Sequence, residues 1–115
     1  MKMQTSELQG AALDWAVLEC ENGEGAAWYL DEKKGLMEEH GELSAPFNPS
    51  TDWAQGGPII EREGLCLNYD PFSKRWNCST KVLDSYQAET PLIAAMRCYV
   101  ASKLGDEVEI PEEVK

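Results

Sequence analysis

Apolar residues recur at helical spacing near both ends of this chain and fall in short strand-like runs between them. Leu13, Ala16, Val17 and Cys20 stand at i, i+3, i+4 and i+7, so they share one face of a helix expected over Glu7–Glu21. Ser6 and Gln9 have the spacing of a capping box at its start, and Gly10 weakens that start. "ENGEG" closes it, because glycine and asparagine tolerate left-handed backbone angles. Trp15 stands off the stripe, toward a second surface. The clearest element lies near the other end. Thr90 caps, Pro91 occupies the first helical position, and "LIAAMRCYVASKL" runs to Gly105. Lys103 in the last turn suits the helix dipole. Ile93, Met96, Val100 and Leu104 form the core stripe, widened by Leu92 and Tyr99. Arg97 lies beside it, its stem expected buried and its head free.

Between these helices the pattern changes. Ala26–Asp31, "AAWYLD", reads as a strand, since aromatics suit a pleated surface. The polar, punctuated stretch around 32–49 reads as a long loop, of the kind that is functional or mobile in small domains. "LCLNYD" and "RWNCST" read as two paired strands. Pairing Tyr69 with Arg75 would put Cys66 opposite Cys78. Lys81–Glu89 reads as irregular. In the acidic tail around 106–115, Val108 and Ile110 alternate with acids, so part of it can add an edge strand and the rest is expected to be loose. The expected fold is α+β: a small antiparallel sheet packed against two main helices, in a single domain over residues 1–115.

Composition narrows the function. With 43% hydrophobic residues the chain can fill a core. Its net charge of -11 opposes nucleic acid and anionic membranes, both of which select cations, and leaves room for a basic protein partner. No apolar run approaches a membrane span and the first residues lack a signal-peptide core, so a cytoplasmic protein is expected. Cys20, Cys66, Cys78 and Cys98 form no CxxC pair, which argues for free thiols and against zinc. His40, the single histidine, sits in polar "MEEHGELS" and reads as solvated.

The densest stretch is "STDWAQGGPIIEREG", residues 50–64. Ser50 reads as the N-cap of a turn through Thr51, Asp52 and Trp53, which Gly56 and Gly57 break. Pro58 would open a second short helix, "PIIERE", ended by Gly64. Two turns flanking a diglycine would bring bare amides to the surface, where they can receive a ligand's oxygens. No nucleophile elbow, phosphate loop or His/Asp metal cluster is present, so no catalytic residue, metal or cofactor is assigned. A small-ligand site uses an apolar wall and a few aimed polar groups. Trp53 offers the wall, Ser50, Thr51, Asp52 and Gln55 the polar groups, and Arg62 and Arg97 two-point contacts to phosphate. The competing reading is a capped turn with Trp53 as core filler and Arg62 solvated.

Three stretches, "MKMQTSELQGAALDWAV", "STDWAQGGPIIEREG" and "TPLIAAMRCYVASKLGDEVEIPEE", resemble the NinX-type family of small proteins from lambdoid and related bacteriophages and prophages. The resemblance implies a phage accessory protein made in the bacterial cytoplasm, and implies no chemistry. Small phage proteins of other families sequester nucleotide immune signals such as cyclic dinucleotides and cyclic ADP-ribose isomers. By that analogy Trp53 would stack on a base, and Thr51, Asp52 and Gln55 would fix base or ribose. Gly56, Gly57, Arg62 and Arg97 would meet phosphates, in a homo-oligomer that binds without catalysis. The alternative is an acidic interaction protein that inhibits a host protein, a DNA mimic being one form of it.

Overall fold

A computed structural model of the chain describes residues 1–23, 25–81 and 85–115. Its central element is the C-terminal helix, here α3, Pro91–Leu104. As expected, the Thr90 hydroxyl accepts the Ile93 N–H at 3.2 Å, and Gly105 ends the helix at φ 90°. The buried surface is wider than the expected stripe. Leu92, Ala94–Met96 and Cys98–Ala101 are all buried, while Leu104 is 42% exposed. Three small alanines let neighbours approach on several sides, so α3 is a core helix rather than an amphipathic one.

The first helix, α1, spans Gly10–Asn22 and starts three residues later than expected. Residues Thr5–Glu7 form a 3-10 turn, and Gln9 rather than Ser6 occupies the N-cap. Tertiary hydrogen bonds hold this turn out of helical register. Thr5 is buried, its hydroxyl donates to the Gly105 carbonyl at 2.6 Å, and its N–H donates to the Asp106 carbonyl at 2.7 Å. Leu13, Ala16 and Val17 are fully buried against α3, and Cys20 is half-buried. Trp15 is half-buried, and its Nε1 has no partner among the described residues. Gly23 closes α1, and Glu24 of the expected stop signal lies outside the described residues.

The polar stretch at 32–49 is not a loop. β2 (Trp28–Asp31), β3 (Gly35–His40) and β4 (Leu43–Pro46) form a three-stranded antiparallel sheet. The Asp31 carboxylate accepts the N–H groups of Lys33 and Lys34 at 2.8 and 2.9 Å, and Gly35 and Gly41 supply the positive φ of the turns. Only Leu36 and Met37 of β3 are buried, so Glu38, Glu39 and His40 can be polar and the strand still pair.

A second three-stranded sheet joins β5 (Cys66–Asp70), β6 (Arg75–Ser79) and β7 (Tyr86–Ala88). Its register differs by one residue from the expected pairing: Tyr69 faces Trp76, Leu67 faces Cys78 and Cys66 faces Ser79. Cys78 is buried, and a one-residue slip would turn it outward. β7 replaces part of the expected irregular stretch, whose residues 82–84 lie outside the described ones. The tail is ordered rather than loose. β8 (Glu107–Glu109) pairs with β1 (Lys2–Gln4), and Val108, Ile110 and Val114 are buried. The protein is thus α+β, as the pattern implied, with three small sheets instead of one.

The third helix, α2, spans Trp53–Glu63 and runs unbroken through Gly56, Gly57 and Pro58. The diglycine therefore breaks nothing, and Pro58 sits inside the helix rather than at the start of a new one. Gly64 ends it in the left-handed conformation, φ 64°, as expected. α1, α2, β6 and β7 all pack on α3, and α3 is thereby covered along most of its length.

Candidate functional site

Asp52, not Ser50, caps α2: its Oδ1 accepts the Ala54 N–H at 3.0 Å. The neighbouring polar groups tie this cap to the end of β4. Gln55 accepts the Asn48 N–H at 2.9 Å, and its amide donates to Asn48 Oδ1 at 2.7 Å, Asp52 Oδ2 at 3.1 Å and the Pro46 carbonyl at 3.3 Å. Asp52 and Gln55, expected to hold a ribose or base edge, are thus engaged within the chain. Satisfied partners of this kind fix a helix start in place.

Ser50 is buried. Its N–H donates to Asp14 Oδ1 at 2.9 Å, which pins the start of this segment to α1. Its hydroxyl oxygen completes no hydrogen bond, although it sits near enough to the same carboxylate to favour the charge. Burial dominates and pushes Asp14 up to about 6, against the pull of the Ser50 contacts.

Gly56 stands at a close packing contact. A Cβ on Gly56 would lie 2.5 Å from the Pro49 carbonyl oxygen and 2.6 Å from Leu92 Cδ2, so α2 crosses α3 with no room for a side chain. The Gly56 N–H donates to the Asp52 carbonyl, and helix-interior amides are not available to a ligand. Gly57 lies beside the Trp53 indole, with an added Cβ 3.9 Å from Cε3.

Trp53 itself is 55% exposed and is not core filler. With Ser50, Thr51 and the start of α3, residues Thr90–Ile93, it lines a hollow of about 220 Å³ with mainly apolar walls. The structure thus brings three of the expected site residues, Ser50, Thr51 and Trp53, to one place.

The expected arginines do not join them. Arg62 lies nine residues along α2, roughly 13 Å from Trp53 at the helical rise. It makes a two-point contact with Glu21 at 3.1 and 2.7 Å and reaches Glu63 at 2.9 Å. Its hydrogen bonds to Glu21 and Glu63 raise its pKa, and its bond to Glu21, ahead of one from the Tyr99 hydroxyl, lowers that of Glu21. Arg97 has no free head. It is buried, with Nε donating to the Leu8 carbonyl and Nη1 to the Gln87 carbonyl, both at 2.7 Å. Leu8 follows the 3-10 turn and Gln87 stands in the edge strand β7, so Arg97 staples both to α3. Burial lowers its pKa, and the nearby charge of Arg75 adds to that.

Arg75 was not anticipated. It lines a hollow of about 170 Å³ with Gln9, Glu89, Ile93 and Arg97, and a second of about 470 Å³ with Gln4, Ser6, Gln87 and Asp106. Ile93 also lines the Trp53 hollow, so each of the three shares a lining residue with the next: Ile93, then Arg75. No spacing rule links residue 53 to residues 75 and 90–93. Only the tertiary packing of three elements does so.

The four cysteines are free. Cys66 is exposed, and burial ahead of the Glu21 charge pushes Cys20 up to about 12. His40 is 63% exposed at its side chain and lies 3.0 Å from Glu38. Among the described residues no three His, Cys, Asp or Glu side chains gather at a metal-sized point, and no helix is long and apolar enough to cross a membrane.

Three small antiparallel sheets, two of them packed on a central helix and the third on α1, with an open hollow beside an exposed indole, define a small α+β class. Within that class, residues 4–103 match the family described as Bacteriophage P22, NinX, and the chain belongs to this family of phage proteins. The match includes Trp53, Arg75 and Arg97. No curated protein matches the chain.

Proposed function

We propose that this NinX-family protein is a phage accessory protein that captures a small nucleotide signal in the host cytoplasm and holds it without chemical change. The observation that supports this is Trp53. A large aromatic left 55% exposed, on a helix start braced by Asn48, Asp52 and Gln55, costs solvation without adding to the core. Beside an apolar hollow it serves as a stacking wall, a contribution of about 1–3 kcal/mol per base. A signal-sized ligand exceeds one hollow, and a second subunit would close the site from the open side, so the reading includes a homo-oligomer.

Thermal unfolding against cyclic dinucleotides, cyclic ADP-ribose isomers and mononucleotides tests this. A ligand at one hundred times its dissociation constant is expected to add about 2.7 kcal/mol. Trp53→Ala is expected to remove the shift and leave the unliganded melting temperature unchanged. A variant that unfolds would make Trp53 structural and end the site assignment. A flat response across the panel would favour a second reading, an acidic protein that binds a basic host protein. The exposed Tyr29, Leu30 and Leu43 support it, standing among exposed Glu32, Glu39 and Glu42 on and around the β2–β4 sheet. That complex would weaken steeply with salt.

A further inference from the structure

We propose that Arg75, backed by Arg97, is an anion-binding centre for the phosphoryl group of a small ligand. The centre sits in the trough that continues from the Trp53 hollow, and the proposal rests on the nucleotide-capture reading. The chain has three arginines. Arg62 is neutralised by Glu21 and Glu63. Arg75 is half-buried, and its side chain has no hydrogen bond or ion pair among the described residues. Asp70 faces it across the β5–β6 ladder, yet the Asp70 carboxylate is occupied by the Phe72 N–H at 2.9 Å and the Ser73 hydroxyl at 3.0 Å. An arginine whose side chain has no partner among the described residues, in a chain with 21 acids, is conspicuous.

Its surroundings sharpen the point. Arg97 stands close enough to Arg75 for the two charges to repel, and it cannot withdraw, because Nε and Nη1 are fixed on the Leu8 and Gln87 carbonyls. Two cations held together in a partly desolvated place are costly unless an anion joins them. The carboxylates that face the pair are Glu7 and Glu89 near Arg97, and Asp106 on the far wall, which already accepts from the Tyr86 hydroxyl at 3.3 Å. None forms an ion pair with either guanidinium among the described residues. The walls around Arg75 add neutral hydrogen-bonding side chains, Gln4, Ser6 and Gln87. A planar guanidinium with amides and hydroxyls beside it matches a phosphoryl group's several acceptor oxygens. Glu89, in the intermediate hollow, then has the chemistry to accept from a sugar hydroxyl. One ligand can thus reach from an aromatic stack at Trp53, past Ile93 and Glu89, to a phosphoryl group at Arg75. In this proposal Arg75 takes the phosphate role expected from the sequence for Arg62, Arg97 and the diglycine amides.

The test uses inorganic phosphate on the full chain, read as thermal shift against chloride at equal ionic strength, which removes the general effect of salt on an acidic protein. Arg75→Gln is expected to weaken phosphate binding about tenfold or more and to melt at or above the parent in chloride, since it relieves the repulsion on Arg97; Arg75→Lys is expected to restore part of the binding and to melt like the parent in chloride. Trp53→Ala is expected to bind phosphate like the parent and a mononucleotide more weakly. Equal phosphate affinity in Arg75→Gln, or no shift beyond chloride, would overturn the anion centre. If Trp53→Ala keeps its mononucleotide affinity while Arg75→Gln loses it, the stacking assignment fails and the anion centre stands.

Discussion

Asp14 shows how one side chain sets the position of the candidate site. It is buried within α1, and its carboxylate receives the Ser50 N–H just before α2 begins. Burial raises its pKa from 3.8 to about 6. The folded state therefore holds this proton more tightly than the unfolded chain does. The stability it contributes is complete below the unfolded value and is lost as pH rises through about 6, a cost on the order of 3 kcal/mol at neutral pH. Asp14→Asn keeps an acceptor oxygen for Ser50 and removes the charge. Denaturant unfolding is expected to show the Asn variant more stable than the parent at about pH 8, the gap shrinking toward about pH 5. A gap independent of pH would mean that Asp14 is not desolvated as described. A carboxylate retained at such a cost, beneath the segment that presents Trp53, is consistent with a site selected for something other than stability.

At the scale of elements, α2 carries opposite demands on adjacent glycines. Gly56 lies where α2 crosses the Pro49 carbonyl and Leu92, and an added methyl would sit 2.5 Å from the carbonyl oxygen. Gly57 faces only the indole edge at 3.9 Å, an ordinary contact. Gly56→Ala is expected to lower stability by about 1–3 kcal/mol through overpacking. Gly57→Ala is expected to raise it by about 0.5–1 kcal/mol, because alanine loses less backbone entropy in a helix. Chemical denaturation of the two variants checks both signs, and two changes of the same sign would contradict the crossing geometry. The same pair explains why the segment misleads when read alone. Gly-Gly-Pro is a strong local break, yet packing of Ile59 and Gly56 against the rest of the protein carries the helix through it.

For the whole molecule, the two ends of the chain close the structure together. β1 pairs with β8, the N-terminal ammonium reaches Glu109 at 2.9 Å, and Val108, Ile110 and Val114 enter the common core. Three buried aliphatic side chains at about 1.5–3 kcal/mol each are comparable to the whole stability of a small domain, about 5–15 kcal/mol. A chain ending at Gly105 is therefore expected to lose its cooperative thermal transition or melt far below the parent, as followed by circular dichroism. A near-parental melting temperature would show that the tail only decorates the fold. Acidic composition suggests a loose tail, but three apolar residues at the right spacing outweigh six charged neighbours that can all face water.

What the sequence determined by itself were the features set within a few residues. α3 was legible from Thr90, Pro91 and Gly105, because a cap, an N1 proline and a terminal glycine act locally. The buried face of α1, the α+β class and the NinX resemblance were legible for the same reason or from long matching segments. Trp53 was legible as a candidate wall from its polar neighbours. The continuity of α2, the β2–β4 sheet, the register of β5 and β6, and the partners of Arg62, Arg75 and Arg97 were decided only in the tertiary structure. Each depends on which surface arrives from elsewhere in the chain: Leu92 on Gly56, the Leu8 and Gln87 carbonyls on Arg97, Glu21 on Arg62. Side-chain type restricts what a residue can bond, but the folded chain decides which partner is within reach, and so which arginine is left facing the trough.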